Sequence, residues 1–108
     1  MSTSKTLEPL TEERLLSIPL KQGKHASRAA GVCIMEAVAW LAGEPHSDHP
    51  QCASPLITTI AIRLNDTLRN DNERSLLKPL ALKIVGTRGS NEVEIERAYL
   101  LLDWCVRQ

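Results

Sequence analysis

The stretch from Arg28 to Ala42 constrains the fold more than any other part of the chain. After Arg28 its residues read AAGVCIMEAVAWLA, and Glu36 is the only charged side chain among them. Gly43 follows as a signal for a helix C-terminus, and Pro45 stands just beyond it. A helix that is apolar on every side is normally surrounded by protein. The sequence therefore predicts a central, buried helix over about residues 28–42.

Further helices are predicted on both sides of this segment. Serine or threonine before a run of helix-forming residues marks three helix starts, at Thr11, Ser54 and Ser90. The segment 71–85 is also helical in pattern, and Pro79 interrupts it because proline lacks an amide donor and clashes with the preceding turn. Strand-like alternation is weak throughout the chain. We predict an all-α fold, a single compact domain of about five helices around the central one.

The ends of the chain and its cysteines predict its organisation. The first ten residues are small and polar, which predicts a flexible N-terminal tail at 1–10 before a single helical domain at 11–108. They do not resemble a signal peptide, and no segment approaches the ~20 apolar residues that span a bilayer. Three cysteines at irregular spacing are a poor disulfide framework and favour free thiols. We predict a cytoplasmic protein.

Charge and aromatic content disfavour several classes of partner. The chain has 13 Lys and Arg against 13 Asp and Glu, so its net charge is zero and it lacks the field that recruits nucleic-acid backbones or anionic membranes. It has no Phe, two Trp and one Tyr, which leaves little from which to build a base-stacking platform. We therefore expect no nucleic-acid partner and no membrane attachment.

Glu36 is the first candidate functional residue. Burying an unpaired carboxylate costs several kcal/mol, so the side chain needs strong donors. The polar loop that follows the central helix offers His49 and the backbone amides of residues 48–54, and Arg63 stands on the next helix. We predict that Glu36 ties this loop to the core. The predicted buried polar cluster consists of Glu36, Asp48, His49, Ser54 and Arg63.

Two alternatives use cysteine and histidine from the same region. The first is a zinc-stabilised domain with the ligand set Cys33, His46, His49 and Cys52, whose residue types suit tetrahedral zinc although the spacing is not that of paired knuckles. The second is a hydrolase in which Cys33 or Cys52 is the nucleophile, His49 the base and Asp48 or Glu36 the orienting carboxylate. The preferred prediction assigns no catalytic residue, no metal and no cofactor.

The last helix is the second candidate site. Its apolar residues are spaced over most of the helix circumference, whereas one domain core contacts only part of such a surface. A contiguous exposed apolar patch usually marks an interface. We therefore predict that Tyr99, Leu101 and Trp104 contact another protein or a second copy of the chain, as a dimer.

The chain also resembles a known family in a series of short strings: MEAVAWLAGEPHSDHP, CASPLI, LND, VGTRG and RAYLLLDWCVR, which ends in DWCVR. These strings are similar to those of small uncharacterised helical proteins encoded by bacteria and bacteriophages, and the resemblance covers roughly residues 32–107. It implies a helical fold and no assigned activity. In that family the position of His46 is often aromatic, and the chain commonly continues beyond the last string.

Together these observations predict a function class. We expect a small, non-enzymatic protein-binding module, and the resemblance implies an accessory protein of a phage or mobile element. The zinc-stabilised domain and the Cys/His-dependent hydrolase stay open as alternatives.

Overall fold

The computed structural model describes residues 8–108, and within them the chain is helical without strands. This confirms the predicted all-α class. The described part contains five helical segments, and the fourth of them is made of two helices joined by a 3₁₀ turn. The first three are α1 Glu12–Ser17, α2 Ile34–Leu41 and α3 Pro55–Thr67. The fourth is α4 Asp71–Arg74, which continues through the 3₁₀ turn Ser75–Leu77 into α5 Lys78–Ile84, and the fifth is α6 Asn91–Arg107.

The helix starts follow the predicted caps. The side chains of Thr11, Ser54 and Ser90 each accept a hydrogen bond from a backbone amide of the first turn, and Asn70 does the same for α4. Pro79 lies in the first turn of α5, where its missing amide donor costs nothing, and the 3₁₀ turn ends just before that helix. The predicted interruption of this segment is confirmed.

The central helix is shorter than predicted. It spans Ile34–Leu41 and not 28–42, because Cys33 is its N-cap with an extended backbone. Cys33 Sγ accepts from Glu36 N, and the Glu36 carboxylate accepts from Cys33 N, which is a capping box with cysteine in the usual place of serine or threonine. Gly31, at φ +143, lies in the irregular segment that precedes the cap.

α2 is nevertheless the centre of the domain. Every side chain from Ile34 to Trp40 is buried, and α2 packs against α3 on one side and α5 on another. Its neighbours in the core come from α1, α3, α5 and the segments outside the helices, and none of those described comes from α4 or α6: Leu10, Leu15, Leu20, Ala53, Ala61, Leu77, Ala81 and Ile84. No helix within residues 8–108 is long and apolar enough to cross a membrane.

The N-terminal tail was predicted at 1–10, and the larger part of that range lies outside the described residues. Residues 8–10 correct the prediction, because they are packed onto the domain. Leu10 is buried in the core, and the indole Nε1 of Trp40 donates to the Glu8 carbonyl at 2.7 Å. A buried indole N–H needs an acceptor, and the chain before α1 supplies it.

Asn65 joins three parts of the chain. It is fully buried, its side-chain oxygen accepts from Ile34 N at 3.1 Å, and its amide nitrogen donates to the Lys21 carbonyl at 3.0 Å. The buried guanidinium of Arg74 donates to the Asn65 carbonyl at 2.9 Å and pairs with Asp71 at 2.6 Å. α3 thereby holds the start of α2, the 21–28 segment and α4 in place.

We expect Asn65→Ala to destabilise the fold by about 2 kcal/mol, because it leaves one buried N–H and one buried carbonyl unpaired. Urea denaturation followed by circular dichroism measures the difference. Asn72→Ala is the matched control, since Asn72 is exposed on α4 and its substitution should change stability by less than ~0.5 kcal/mol. Equal effects of the two substitutions would contradict the role given to Asn65.

Candidate functional site

The Glu36 carboxylate lies fully buried at the start of α2 and is surrounded by donors. Its Oε1 accepts from Cys33 N at 2.9 Å and from His25 Nδ1 at 2.8 Å. Its Oε2 accepts from His25 N at 2.8 Å, and His46 Nε2 lies 3.1 Å away. Both carboxylate oxygens are therefore satisfied, and the side chain joins the 21–28 segment to the loop after α2.

These partners correct the cluster predicted from the sequence. His49 is exposed, and its Nδ1 contacts the half-buried Asp48 at 2.8 Å, so these two residues pair with each other and not with Glu36. Ser54 is buried, but it caps α3 and donates to Glu94 at 2.8 Å. Arg63 is exposed on α3. Of the five predicted members, only Glu36 belongs to the buried cluster.

A glycine lets His25 reach Glu36. A Cβ atom at Gly31 would lie 3.1 Å from Cδ2 of the His25 ring, so a larger residue there would displace the imidazole. The Cys-x-x-Glu spacing of a capping box was the local signal for the role of Glu36. Nothing local connects it with His25, which precedes it by 11 residues.

The acceptors present identify the donor atom of His46 and the charge of Glu36. His46 Nε2 lies 2.8 Å from the His25 carbonyl, which can only accept, so Nε2 is the donor of this hydrogen bond. His46 Nδ1 is buried and has no hydrogen-bond partner among the described residues. Burial alone would raise the pKa of Glu36, but the hydrogen bonds from the His25 side chain, the His25 amide and the Cys33 amide lower it. Glu36 is therefore ionised at neutral pH.

Cys33 and Cys52, the two cysteines considered as nucleophiles, do not have the surroundings that activate a thiol. Burial raises the pKa of the Cys33 thiol to about 12, and burial also raises the pKa of Cys52. His49, the predicted base, does contact the predicted orienting carboxylate of Asp48 at 2.8 Å, whereas Cys33 Sγ is taken up by the cap of α2. Among the described residues no hydrogen bond joins His49 to Cys33 or Cys52, so the Cys/His pair of the hydrolase alternative is not formed.

The predicted zinc ligands are also separated by their contacts. His46 contacts Glu36 and the His25 carbonyl, Cys33 caps α2, and His49 points to solvent. Within residues 8–108, no three His, Cys, Asp or Glu side chains form a group that could hold a metal ion. A metal bound by Cys33, His46, His49 and Cys52 would have to displace these hydrogen bonds.

A cleft beside α2 was not anticipated from the sequence. It measures about 260 Å³ and is lined in part by Lys21, Arg28 and Trp40. The guanidinium groups of Arg14 and Arg28 each lie 5.2 Å from the Trp40 ring centroid, which is the geometry of a cation–π contact. Arg28 also donates to the Glu44 carbonyl at 2.6 Å. These contacts hold Arg28 at the wall of the cleft and Arg14 against the Trp40 ring.

Glu44 is a second carboxylate that sequence reasoning missed. It accepts from Gln51 N at 2.6 Å and from Cys52 N at 2.9 Å, and so closes the loop that follows α2. Burial would raise its pKa, but these amide donors lower it. Glu44 therefore closes the loop on itself, whereas the contact between Glu36 and His46 joins the loop to the core.

The hydrogen bonds that join α6 to the other described residues come from near its start. Glu94 accepts from Ser54 at 2.8 Å, and Arg97 donates to the Thr87 carbonyl at 2.6 Å. Every residue from Ala98 to Gln108 is exposed, and α6 contains no buried residue at all. The large exposed apolar side chains of this helix are Val93, Ile95, Tyr99, Leu100, Leu101, Leu102, Trp104 and Val106.

The three predicted interface residues do not share one face of α6. Tyr99 is 70% exposed and Trp104 is 60% exposed, whereas Leu101 is 36% exposed. At about 100° per residue, Tyr99 lies on the opposite side of the helix from Leu101. Trp104 follows Leu101 by three residues and lies about 60° from it around the helix axis. Leu101 follows Arg97 by one turn and so continues the anchored side. One flat partner surface cannot cover all three.

We expect Glu36→Ala to lower the free energy of unfolding by roughly 2–4 kcal/mol, because it removes the acceptor of the His25 amide, the His25 ring and the Cys33 amide at the cap of α2. Chemical denaturation measures the loss. Glu96→Ala removes an exposed carboxylate of α6 and should change stability by less than ~0.5 kcal/mol. A near-neutral Glu36→Ala would show that the cluster does not stabilise the fold.

The same carboxylate predicts an acid dependence. The pKa of Glu36 in the folded chain lies below the ordinary value of 4.5, so its contribution to stability is present above that pH and is lost as the pH falls through the folded value. The stability of the wild type should therefore fall more steeply below pH 4.5 than that of Glu36→Gln, which cannot titrate. Parallel pH profiles of melting temperature would contradict this prediction.

The chain was compared with protein-family models, curated proteins and solved structures, and none of them matches it.

Proposed function

We propose that the chain is a small, non-enzymatic protein-binding module and that α6 is its binding surface. The observation that carries this proposal is the exposure of α6 from Ala98 onward, over residues that are largely apolar. A helical segment of this length whose apolar side chains are mostly exposed is marginal in water, because most helical stability in proteins comes from packing an apolar face. A protein partner would supply that packing.

The composition of the surface supports a protein partner. Tyrosine and tryptophan are the residues most enriched among those that dominate binding energy, and α6 carries the exposed Tyr99 and Trp104. A neutral net charge supplies no general attraction for a phosphate backbone, which makes nucleic acid the weaker choice. No cofactor is needed for this function, and no residue is assigned a catalytic role.

The buried polar groups support a structural role for the rest of the domain. Glu36, Asn65 and Arg74 are each hydrogen-bonded to backbone groups of neighbouring segments. Such groups hold a scaffold rigid and leave α6 as the part available for binding. On the resemblance of its short strings to bacterial and phage proteins, we propose a cytoplasmic accessory protein of a phage or mobile element.

The test is affinity capture with the full chain immobilised. Lysate of the source cells, to which a differently tagged copy of the chain is added, is passed over the wild type and over the double variant Leu102→Glu/Trp104→Ala, which alters two sides of α6. We expect the wild type to retain at least one protein, either the added copy or a foreign one, and the double variant to lose it. Purified components then give the dissociation constant.

Leu76→Glu is the matched control, because Leu76 is 77% exposed and lies outside α6. Its binding should equal that of the wild type. Circular dichroism must show the double variant folded, which we expect because the side chains it changes are outside the core. Retention of the same proteins by the wild type and the double variant, or retention of none, would overturn the proposal.

A further inference from the structure

We infer that the cleft beside α2 binds a small organic anion, a free carboxylic acid with a short hydrocarbon group. This site shares no residue with the surface proposed on α6 and adds a second binding activity to the chain. Three features of the cleft support it: an apolar wall that belongs to the core, a volume that suits a small ligand, and cationic side chains without acidic ones.

The cleft lies where the chain leaves α1 and passes over α2. Ile18 and Pro19 follow α1, Val32 directly precedes the cap of α2, and Trp40 lies in α2 itself. Val32 and Trp40 are buried members of the core, and Ile18 packs against it. This wall of the cleft is therefore apolar and is held in shape by the packing of the domain, as is usual for sites that bind small molecules.

The volume of the cleft limits the size of the ligand. It measures about 260 Å³, slightly below the range of about 300–1,000 Å³ in which proteins bind drug-sized molecules. A cavity of about 150 Å³ takes up benzene, so the cleft suits a ligand of roughly ten non-hydrogen atoms. Octanoate is a molecule of this size and serves as the probe below.

The charges at the cleft favour an anion. Lys21 and Arg28 line it, and no acidic side chain of the described residues does so. Both come from the 21–28 segment, which also contains Lys24 and has no Asp or Glu. Burial lowers the pKa of Arg28, because the guanidinium has lost part of the water that stabilises its charge. An anion in the cleft would stabilise that charge, whereas a cation would not.

The ion pair of Lys21 leaves positive charge beside the cleft. Lys21 Nζ lies 2.6 Å from Asp71, but the same carboxylate also pairs with Arg74 at 2.6 Å. One negative charge is thus shared between two positive ones. The side chains of Lys21 and Asp71 are 45% and 41% exposed, and pairs this exposed are weak. A ligand carboxylate can therefore compete with Asp71 for Lys21.

The first test uses the fluorescence of Trp40 in the full chain. Trp104→Phe leaves Trp40 as the sole tryptophan, and it changes a side chain that is exposed on α6. Octanoate should change the emission of Trp40 to saturation at one site. Octylammonium should bind at least about tenfold more weakly because its charge is opposite, and butyrate because it lacks much of the hydrocarbon group that the cleft buries. No saturable change, or equal binding of octanoate and octylammonium, would overturn the site.

The second test removes one positive charge. In the same background, Lys21→Met keeps the hydrocarbon stem and should weaken octanoate binding about tenfold, as expected for the loss of a charged hydrogen bond. Lys24→Met is the matched control, because Lys24 lies on the same segment, is exposed and does not line the cleft. Its affinity should equal that of the parent. Equal affinities of the two variants would show that the cleft does not bind the anion.

A third variant should act in the opposite direction. Asp71→Asn removes the charge that competes for Lys21 and keeps an oxygen that can accept from Arg74. Octanoate binding should tighten about two- to fivefold. A loss of folded protein cannot produce such a gain, so this result does not depend on the stability of the variants. Unchanged or weaker binding would contradict the competition at Lys21.

The source of the carboxylate is tested with a tetrapeptide that ends in leucine and has a free C-terminus. It should bind more weakly than octanoate, because an apolar cleft leaves its peptide groups without hydrogen-bond partners. Tighter binding of the peptide would overturn the free acid as the ligand and would assign the cleft to a protein C-terminus.

Discussion

The fold depends on one buried carboxylate. Glu36 closes the capping box of α2 with Cys33, and the same two oxygens accept from His25 and lie within reach of His46. A buried charge is tolerated only when its hydrogen-bonding capacity is filled, and here the donors come from segments on both sides of α2. The start of the central helix, the 21–28 segment and the loop after α2 are therefore set by a single residue.

The polar groups of the interior form two systems that meet at the first turn of α2. The Glu36 carboxylate accepts a hydrogen bond from the amide of Cys33, and the Asn65 side chain accepts one from the amide of Ile34. Both amides lie at the helix N-terminus, where backbone donors lack partners within the helix. A short central helix of this kind would be poorly stabilised by its own hydrogen bonds. Its position in the domain depends on side chains supplied by other segments.

α6 differs from α2 because its apolar side chains are exposed and not buried. Its interactions with the domain come from Glu94 and Arg97 near its start, and its later apolar residues remain exposed. The body of the domain satisfies its polar groups internally, whereas the last helix leaves apolar surface uncovered. We propose this uncovered apolar surface as the binding surface of the chain.

The helical class, the order of the segments and most helix starts could be predicted from the sequence, because caps, prolines and apolar spacing are local signals. The burial of Glu36 followed from its apolar neighbours, and the exposed apolar character of α6 followed from residues spread over its circumference. The identity of the partners of Glu36 could not be predicted, since His25 is brought to it by the path of the 21–28 segment and by space left at Gly31. His49, which looked equivalent in sequence, is turned to solvent by the same loop that brings His46 inward. Local chemistry thus determined which residues needed partners, and only the tertiary structure decided which partners they have, because hydrogen bonds between distant segments depend on the packing of the whole domain.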